Sequence, residues 1–267
     1  MSRIRVAAAQ AESVSGGVAA NVATAVALVT TAADQGARVV VLPELFLTGY
    51  DPDAWTHEAA LTLDEPVLAP LCAVSAARSV VVVIGAAVRR AAGSTLSALV
   101  FDTAGGARVA YDKQHLCGPE RDFFTRGEGG ATLVVDGWQL GVGICYDGCF
   151  PEHATAAVAD GAAAYLCPAA YYVGAEHRRD LRYAARALDN GIYVVLAGLT
   201  GTCGGYAFGG GSAVYDPEGR PLGRVRDEAP AVVVADLDAE EVGRAQAANP
   251  VADDRLASLG PRTRIEL

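Results

Sequence analysis

Lysine is nearly absent from this chain. Of the 21 basic residues among 267, Lys113 is the single lysine and all the others are arginine. Composition leaves two readings of that residue open: a chance survivor of an arginine bias, or a chemical group that arginine cannot replace. The two side chains do differ, since an ammonium is compact and can enter a tight site, whereas guanidinium is planar, forked and almost never deprotonated. Long apolar runs are missing as well. The stretch SVVVVIG at 79–85 is far shorter than the ~20 residues that span a bilayer, and it reads as a buried strand. The N-terminal MSRIRVAAAQ carries the charge of a signal peptide, but it alternates like a strand and gives way to polar Gln10, Glu12 and Ser13. A cytoplasmic protein with no membrane partner is expected.

Net positive charge is lacking too. A formal charge of -10 repels phosphates and argues against a nucleic-acid partner, so small molecules are the expected ligands. Arg178, Arg179, Arg182 and Arg186 fall in a helix-like run with Asp180 and Asp189, for which a solvated or ion-paired face is favoured over a binding patch. The six cysteines contain no CxxC pair and no zinc-ribbon spacing, which excludes the usual disulfide and metal frameworks and leaves no cofactor or metal expected. Cys72 in a helix and Cys167 in a strand suit small buried roles. Cys145 is different.

What is present alternates strand and helix. A strand is expected at 3–10, then a helix at 21–36 capped by Asn21 and ended by Gly36, then a strand at 38–44. A helix near 65–79 leads to a strand at 80–88 and a hairpin of 96–102 with 107–113. Further strands are expected at 138–145, 162–168, 191–198, 211–216 and 231–236, with helices at 151–160 and 177–190. The segments GARVVVLPE and GAAAYLCPA each run from a helix-stopping glycine through a strand into proline, which hints at a pseudo-repeat. No linker interrupts the chain, so residues 1–267 read as one domain, with about 240–267 as an extended tail suited to dimer contacts. The glycine-rich 200–212 lacks the lysine and the strand-to-helix setting of a phosphate loop and reads as a tight loop near the active site.

Chemistry collects where strands end. Glu44 follows an apolar strand in VVVLPEL, Lys113 ends its own in YDKQHL, and Cys145 ends a third in GVGICYDGCFPE, just before a helix opened by Pro151. Layered α/β folds place their sites at such ends. Together the three groups define a mechanism: a carboxylate takes the thiol proton, the thiolate attacks a carbonyl or nitrile carbon, and the ammonium holds the charge on the tetrahedral intermediate.

At these residues, and at AAAQ near the N-terminus and ARALDN at 185–190, the sequence resembles the nitrilase or carbon–nitrogen hydrolase superfamily along nearly its whole length. The resemblance implies an α/β fold, a four-layer α-β-β-α sandwich with mixed sheets, commonly paired into a homodimer or larger homo-oligomer. It implies Glu44 as general base, Lys113 as oxyanion stabiliser and Cys145 as nucleophile, with the Tyr146 backbone N–H a second oxyanion donor. Glu120, in GPERDFF, matches a second glutamate that positions the lysine and substrate. Cys149, Arg126 and Cys117 depart from the family pattern, outside these groups.

Other readings compete. Cys145, Cys149 and His153 are spaced four apart, as on one face of a metal-binding helix, but Pro151 begins a helix rather than continuing one. A thiol dyad with His115 or His153 lacks a partner motif, and an inert ligand-binding module would need an unreactive Cys145. Similarity in length, FLTGYD and the C-terminal NP…R segment point to the short aliphatic amidases, including those acting on ω-amino amides. N-carbamoyl amine hydrolysis, as of N-carbamoylputrescine, comes second and nitrile hydrolysis third. Tyr50, Tyr171, Tyr172 and Glu176 are expected at the pocket mouth. There Glu176 either favours a neutral or cationic amide or pairs with Arg179 or another helix arginine.

Overall fold

Apolar, β-branched runs bounded by glycine and proline need burial on both faces, and the chain supplies it by stacking two sheets between helices. The computed structural model describes residues 3–226, 229–256 and 258–266. The first half contains β1 (Arg3–Gln10), α1 (Val18–Asp34), β2 (Val39–Val41), α2 (Ala69–Arg78), β3 (Val81–Arg90), β4 (Gly93–Phe101) and β5 (Ala107–Asp112). There follow α3 (Glu120–Phe123), β6 (Ala131–Val135), β7 (Trp138–Val142), α4 (Pro151–Ala159), β8 (Ala164–Ala169), α5 (Glu176–Asn190) and β9 (Tyr193–Gly198). The last elements are β10 (Thr200–Cys203), β11 (Tyr206–Gly209), β12 (Ala213–Tyr215), β13 (Pro221–Arg224), β14 (Ala231–Asp238) and α6 (Ala239–Ala248).

Two six-stranded sheets run in the orders β14-β1-β2-β3-β4-β5 and β13-β12-β9-β8-β7-β6. In the first, β1, β2 and β3 are parallel, with Val6 opposite Val39 and Val39 opposite Val81, and the flanking pairs are antiparallel. In the second, β7, β8 and β9 are parallel and their flanks are again antiparallel. Reading the second sheet from β6 reproduces the pattern of the first, so β8 takes the place of β2. Those are the strands of the two similar segments GAAAYLCPA and GARVVVLPE, and the hinted repeat is real. β1 and β2 pack on β8 and β9, α1 and α2 cover the first sheet, and α4 and α5 cover the second. This is the expected α-β-β-α sandwich in a single domain.

Local details depart from expectation. Asn21 is not the cap of α1, which starts at Val18 after Gly17; its buried amide donates to the Val14 and Leu47 carbonyls and accepts from the Val14 N–H, tying two loops together. The glycine-rich 200–212 is mostly the β10–β11 hairpin rather than a loop. The segment from 240 is not an extended tail throughout, because α6 runs to Ala248, with Val242 and Ala245 buried. Beyond it, residues 249–256 and 258–266 carry no helix or strand, and Ala257 and Leu267 lie outside the described residues. No described helix is long and apolar enough to cross a membrane.

β2 ends early for a reason that bears on the site. Past Val41 the chain turns through Pro43 and Glu44 into Leu45, a non-glycine residue at φ 50°. The turn lies directly on β3 at Gly85, where a Cβ would sit 2.3 Å from the Leu45 nitrogen and 2.6 Å from the Glu44 Cα. Gly85→Ala is therefore expected to cost about 1–3 kcal/mol of stability through overpacking, measured by urea unfolding, and to displace Glu44.

Candidate functional site

Glu44, Lys113 and Cys145 come from three separate strand ends and meet beneath one cavity. The Lys113 Nζ donates to Glu44 Oε1 at 2.6 Å and to Glu120 Oε1 and Oε2 at 2.9 and 2.7 Å. All three side chains are buried. Tyr50 donates its hydroxyl proton to Glu120 Oε1 at 2.8 Å, and the Cys117 N–H donates to Glu120 Oε2 at 2.8 Å. Four donated bonds thus fix Glu120, which in turn fixes the ammonium. The other Glu44 oxygen, Oε2, is buried without a hydrogen-bond partner among the described residues. A buried carboxylate oxygen left bare is costly, so it marks a place where a proton or ligand can be received.

Electrostatics sharpen this. Burial pushes the Glu44 carboxyl up to about 7, with Lys113 opposing the rise and Glu120 adding to it. Burial pulls the Lys113 ammonium down, but the two carboxylates outweigh it and hold the proton well above the usual lysine range. Burial and the Glu44 carboxylate push the Cys145 thiol well above its ordinary value, against the pull of Lys113. At neutral pH the site therefore rests as ammonium and thiol, with a carboxyl close to half-ionised.

Cys145 does not end its strand directly. β7 stops at Val142, and Cys145 opens a short 3-10 turn, Cys145–Cys149, with its own φ at 43°. A left-handed non-glycine residue costs of order 1–3 kcal/mol and persists only where its surroundings impose it. Asp147 does much of that. Its Oδ2 accepts from the Ile144 N–H at 2.9 Å and from the Tyr111 hydroxyl at 2.8 Å, while its Oδ1 accepts from the His115 N–H at 2.9 Å. The Tyr183 hydroxyl donates to the Cys145 carbonyl at 2.9 Å.

This network also answers the histidine readings. His115, Asp147 and His153 bring possible ligand atoms within 4.8 Å of one another, yet those atoms are already engaged. His115 Nδ1 lies 2.8 Å from Asp147 Oδ1, and the two His153 ring nitrogens lie 2.9 and 2.8 Å from the Tyr111 and Tyr165 hydroxyls. His115 is stacked on Phe150 with ring centres 3.9 Å apart, and among the described residues neither ring hydrogen-bonds Cys145, whose thiol faces the Ala170 carbonyl; the group of possible ligand atoms around His153 includes neither Cys145 nor Cys149.

The cavity above has a volume of about 410 Å³. Cys145, Tyr146, Glu120, Tyr50, Tyr171 and Tyr172 border it. Tyr172 lies over Phe208 of β11 with ring centres 5.3 Å apart, and Tyr50 meets Phe208 edge-on at 5.3 Å. Glu176 does not border it: the carboxylate accepts from the Gly174 N–H at 3.0 Å at the start of α5. Nor does it pair with Arg179, whose guanidinium is buried and donates to Asp180 and to the Gly209 and Gly210 carbonyls. Arg186 is buried too, against Asp189. These two arginines are ion-paired, one of the two expected alternatives, but they are buried as struts under α5 rather than set on a solvated face. Arg178 and Arg182, by contrast, line the cavity, as do Cys117 and Cys149. Their four-residue spacing on one helix was the available signal.

Residues 5–247 match the carbon-nitrogen hydrolase family, and the chain belongs to it. An (R)-stereoselective amidase of Pseudomonas sp is 32% identical over 82% of this chain and 79% of its own, and a nitrilase of Pyrococcus abyssi is 32% identical over 82% and 83%. An amidase structure from Nesterenkonia sp. AN1, with the acetamide moiety of fluoroacetamide added covalently at its active site cysteine, superposes with a TM-score of 0.84. That match is at 29% identity and covers 96% of this chain and 95% of the other. The protein is a hydrolase of non-peptide carbon–nitrogen bonds.

Removing the ammonium would leave Glu44 and Glu120 facing each other in a buried space. Lys113→Met is expected to lose about 3–5 kcal/mol of stability, read from the urea midpoint, with the loss shrinking as pH falls and the carboxylates take up protons.

Proposed function

We propose that the protein is an amidohydrolase that converts a small aliphatic amide and water to a carboxylate and ammonia through a Cys145 thioester. The observation that carries this reading is the buried Glu44–Lys113–Glu120 cluster next to a strained cysteine at the base of a cavity. Glu44 takes the thiol proton on its bare oxygen, and the sulfur attacks the amide carbon. The charge that develops on the amide oxygen is met by Lys113 and by the Tyr146 N–H, a donor in the first turn of the 3-10 segment. Collapse breaks the C–N bond, and ammonia leaves with the proton held by Glu44. A water then yields a proton to Glu44 and attacks the thioester, which releases the acid and restores the thiol. Glu120 never needs to exchange a proton; it positions the ammonium.

Lysine suits that post for a geometric reason. One ammonium places three donors on Glu44 and Glu120 and can turn toward an oxyanion, whereas a planar guanidinium would lock bidentate onto a carboxylate. Lys113→Arg should therefore lose most turnover. A homodimer belongs to the same reading, supported by the exposed Leu181, Leu188 and Leu222 and by Leu256, Leu259 and Ile265 in the tail. So does a cytoplasmic setting, supported by six free cysteines.

Ammonia release from a panel of amides, N-carbamoyl amines and nitriles, with Cys145→Ala as the blank, tests the reading. Turnover of small aliphatic amides that disappears in the variant is expected, and equal turnover by Cys145→Ala would overturn it. Because Glu44 must be ionised to accept the proton and its carboxyl is held near 7, kcat/KM should rise with pH through about 7 and fall about tenfold per unit on the acid side. A flat profile from pH 5 to 8, the range ~2 units below to 1 above that value, would remove Glu44 as the base.

A further inference from the structure

About half of the arginines in this protein hold a carboxylate. Arg3, Arg5, Arg38, Arg90, Arg179 and Arg186 each sit on an aspartate. Arg178 and Arg182 do not: neither has a carboxylate at ion-pair distance among the described residues, although both line the cavity that opens over Cys145. The neighbouring acids are already committed. Asp180 is shared by Arg179 and Arg224, Asp189 is held by Arg186, and Glu176 is turned back onto the Gly174 N–H. At the base of the cavity, Glu120, and Glu44 beneath it, both belong to Lys113.

The placement of the two arginines separates them from a merely wetted helix face. They are one helical turn apart on α5, so their heads lie side by side. Arg178 is exposed at the rim, whereas Arg182 is half-buried against the Tyr171 hydroxyl and borders the same cavity as Cys149. A pair of guanidinium forks opening into a partly desolvated, tyrosine-walled space matches a carboxylate, which takes two parallel N–H bonds from each fork. In a chain of net charge -10 the surface repels anions, so a local positive wall is needed to draw one in. A terminal amine on the substrate, as the acidic surface would suggest, would instead meet two cations.

We propose that Arg178 and Arg182 form the subsite for the far end of the acyl group, and that the preferred substrate is the amide of a short dicarboxylic acid, bound by its free carboxylate. This rests on the amidase reading above and specifies its substrate class. The reaction would return ammonia and the corresponding dicarboxylate.

The test compares three amides of similar length: succinamate, valeramide and γ-aminobutyramide. Succinamate is expected to have the highest kcat/KM and γ-aminobutyramide the lowest. In Arg178→Gln and Arg182→Gln the ratio of kcat/KM for succinamate over valeramide should fall about ten- to hundredfold, chiefly through KM, and Arg→Lys at either position should recover part of it. A ratio unchanged in the glutamine variants, even where both rates drop, would assign the arginines a structural part and overturn the proposal. So would a wild-type preference for valeramide or γ-aminobutyramide. Calorimetry on Cys145→Ala separates the two readings. Succinamate binding that depends on the arginines, with no ammonia released by the wild type, would sink the amidase reading and leave the carboxylate subsite standing.

Discussion

The contact on which the rest of this structure depends is the ammonium of Lys113 between the carboxylates of Glu44 and Glu120. Two acids buried this deeply could not both ionise alone, because taking each from water costs several kcal/mol. The lysine makes their burial tolerable, and they keep it charged against the desolvation that would otherwise strip its proton. Neither side of the bargain survives without the other. The triplet also leaves one oxygen of Glu44 bare next to Cys145, and so converts a structural necessity into a place for a proton.

Burial of this kind needs walls, and the two stacked sheets provide them. Glu44 follows β2, Lys113 follows β5 and Cys145 follows β7, so the cluster draws on both sheets and sits where their strand ends converge. Both turns that carry reactive groups are strained in the same way, with Leu45 at φ 50° after Glu44 and Cys145 itself at φ 43°. The cost is borne by neighbours that leave no alternative: Gly85 closes on the first turn, and Asp147 grips the second through the Ile144 N–H. The Tyr111–Asp147–His115–His153 network, which on paper resembles catalytic or metal-binding equipment, is better understood as the buttress of that elbow.

Charge is distributed with a clear division. The chain as a whole is acidic, about half of its arginines are paired with carboxylates, and two that have no such partner among the described residues face the cavity. In the proposed reaction these outer cations would select the substrate while the inner one handles the oxyanion. They need not compete for the far carboxylate, since the inner ammonium is held at the base of the cavity between Glu44 and Glu120.

Much of this was legible in the residues. The strand-end positions of Glu44, Lys113 and Cys145, the singularity of the lysine, and the order of apolar runs specified the layered fold and the members of the cluster, because strand periodicity and local turn signals are properties of neighbouring residues. The misreadings share one cause. Asn21 resembles a helix cap, Glu176 resembles a pocket acid, and the arginines of α5 resemble a uniform charged face; each was judged from its sequence neighbours. Two of the actual roles depend on groups far along the chain, Asn21 being engaged by Leu47 and Arg179 by Gly209 and Gly210, while Glu176 is turned back onto the Gly174 N–H. The sequence by itself determined which chemical groups exist and which strand ends present them. Only the tertiary structure decided which carboxylate stays bare and which arginines stay unpaired, because burial and pairing are set by long-range packing, and a charge means something different once its partner is known.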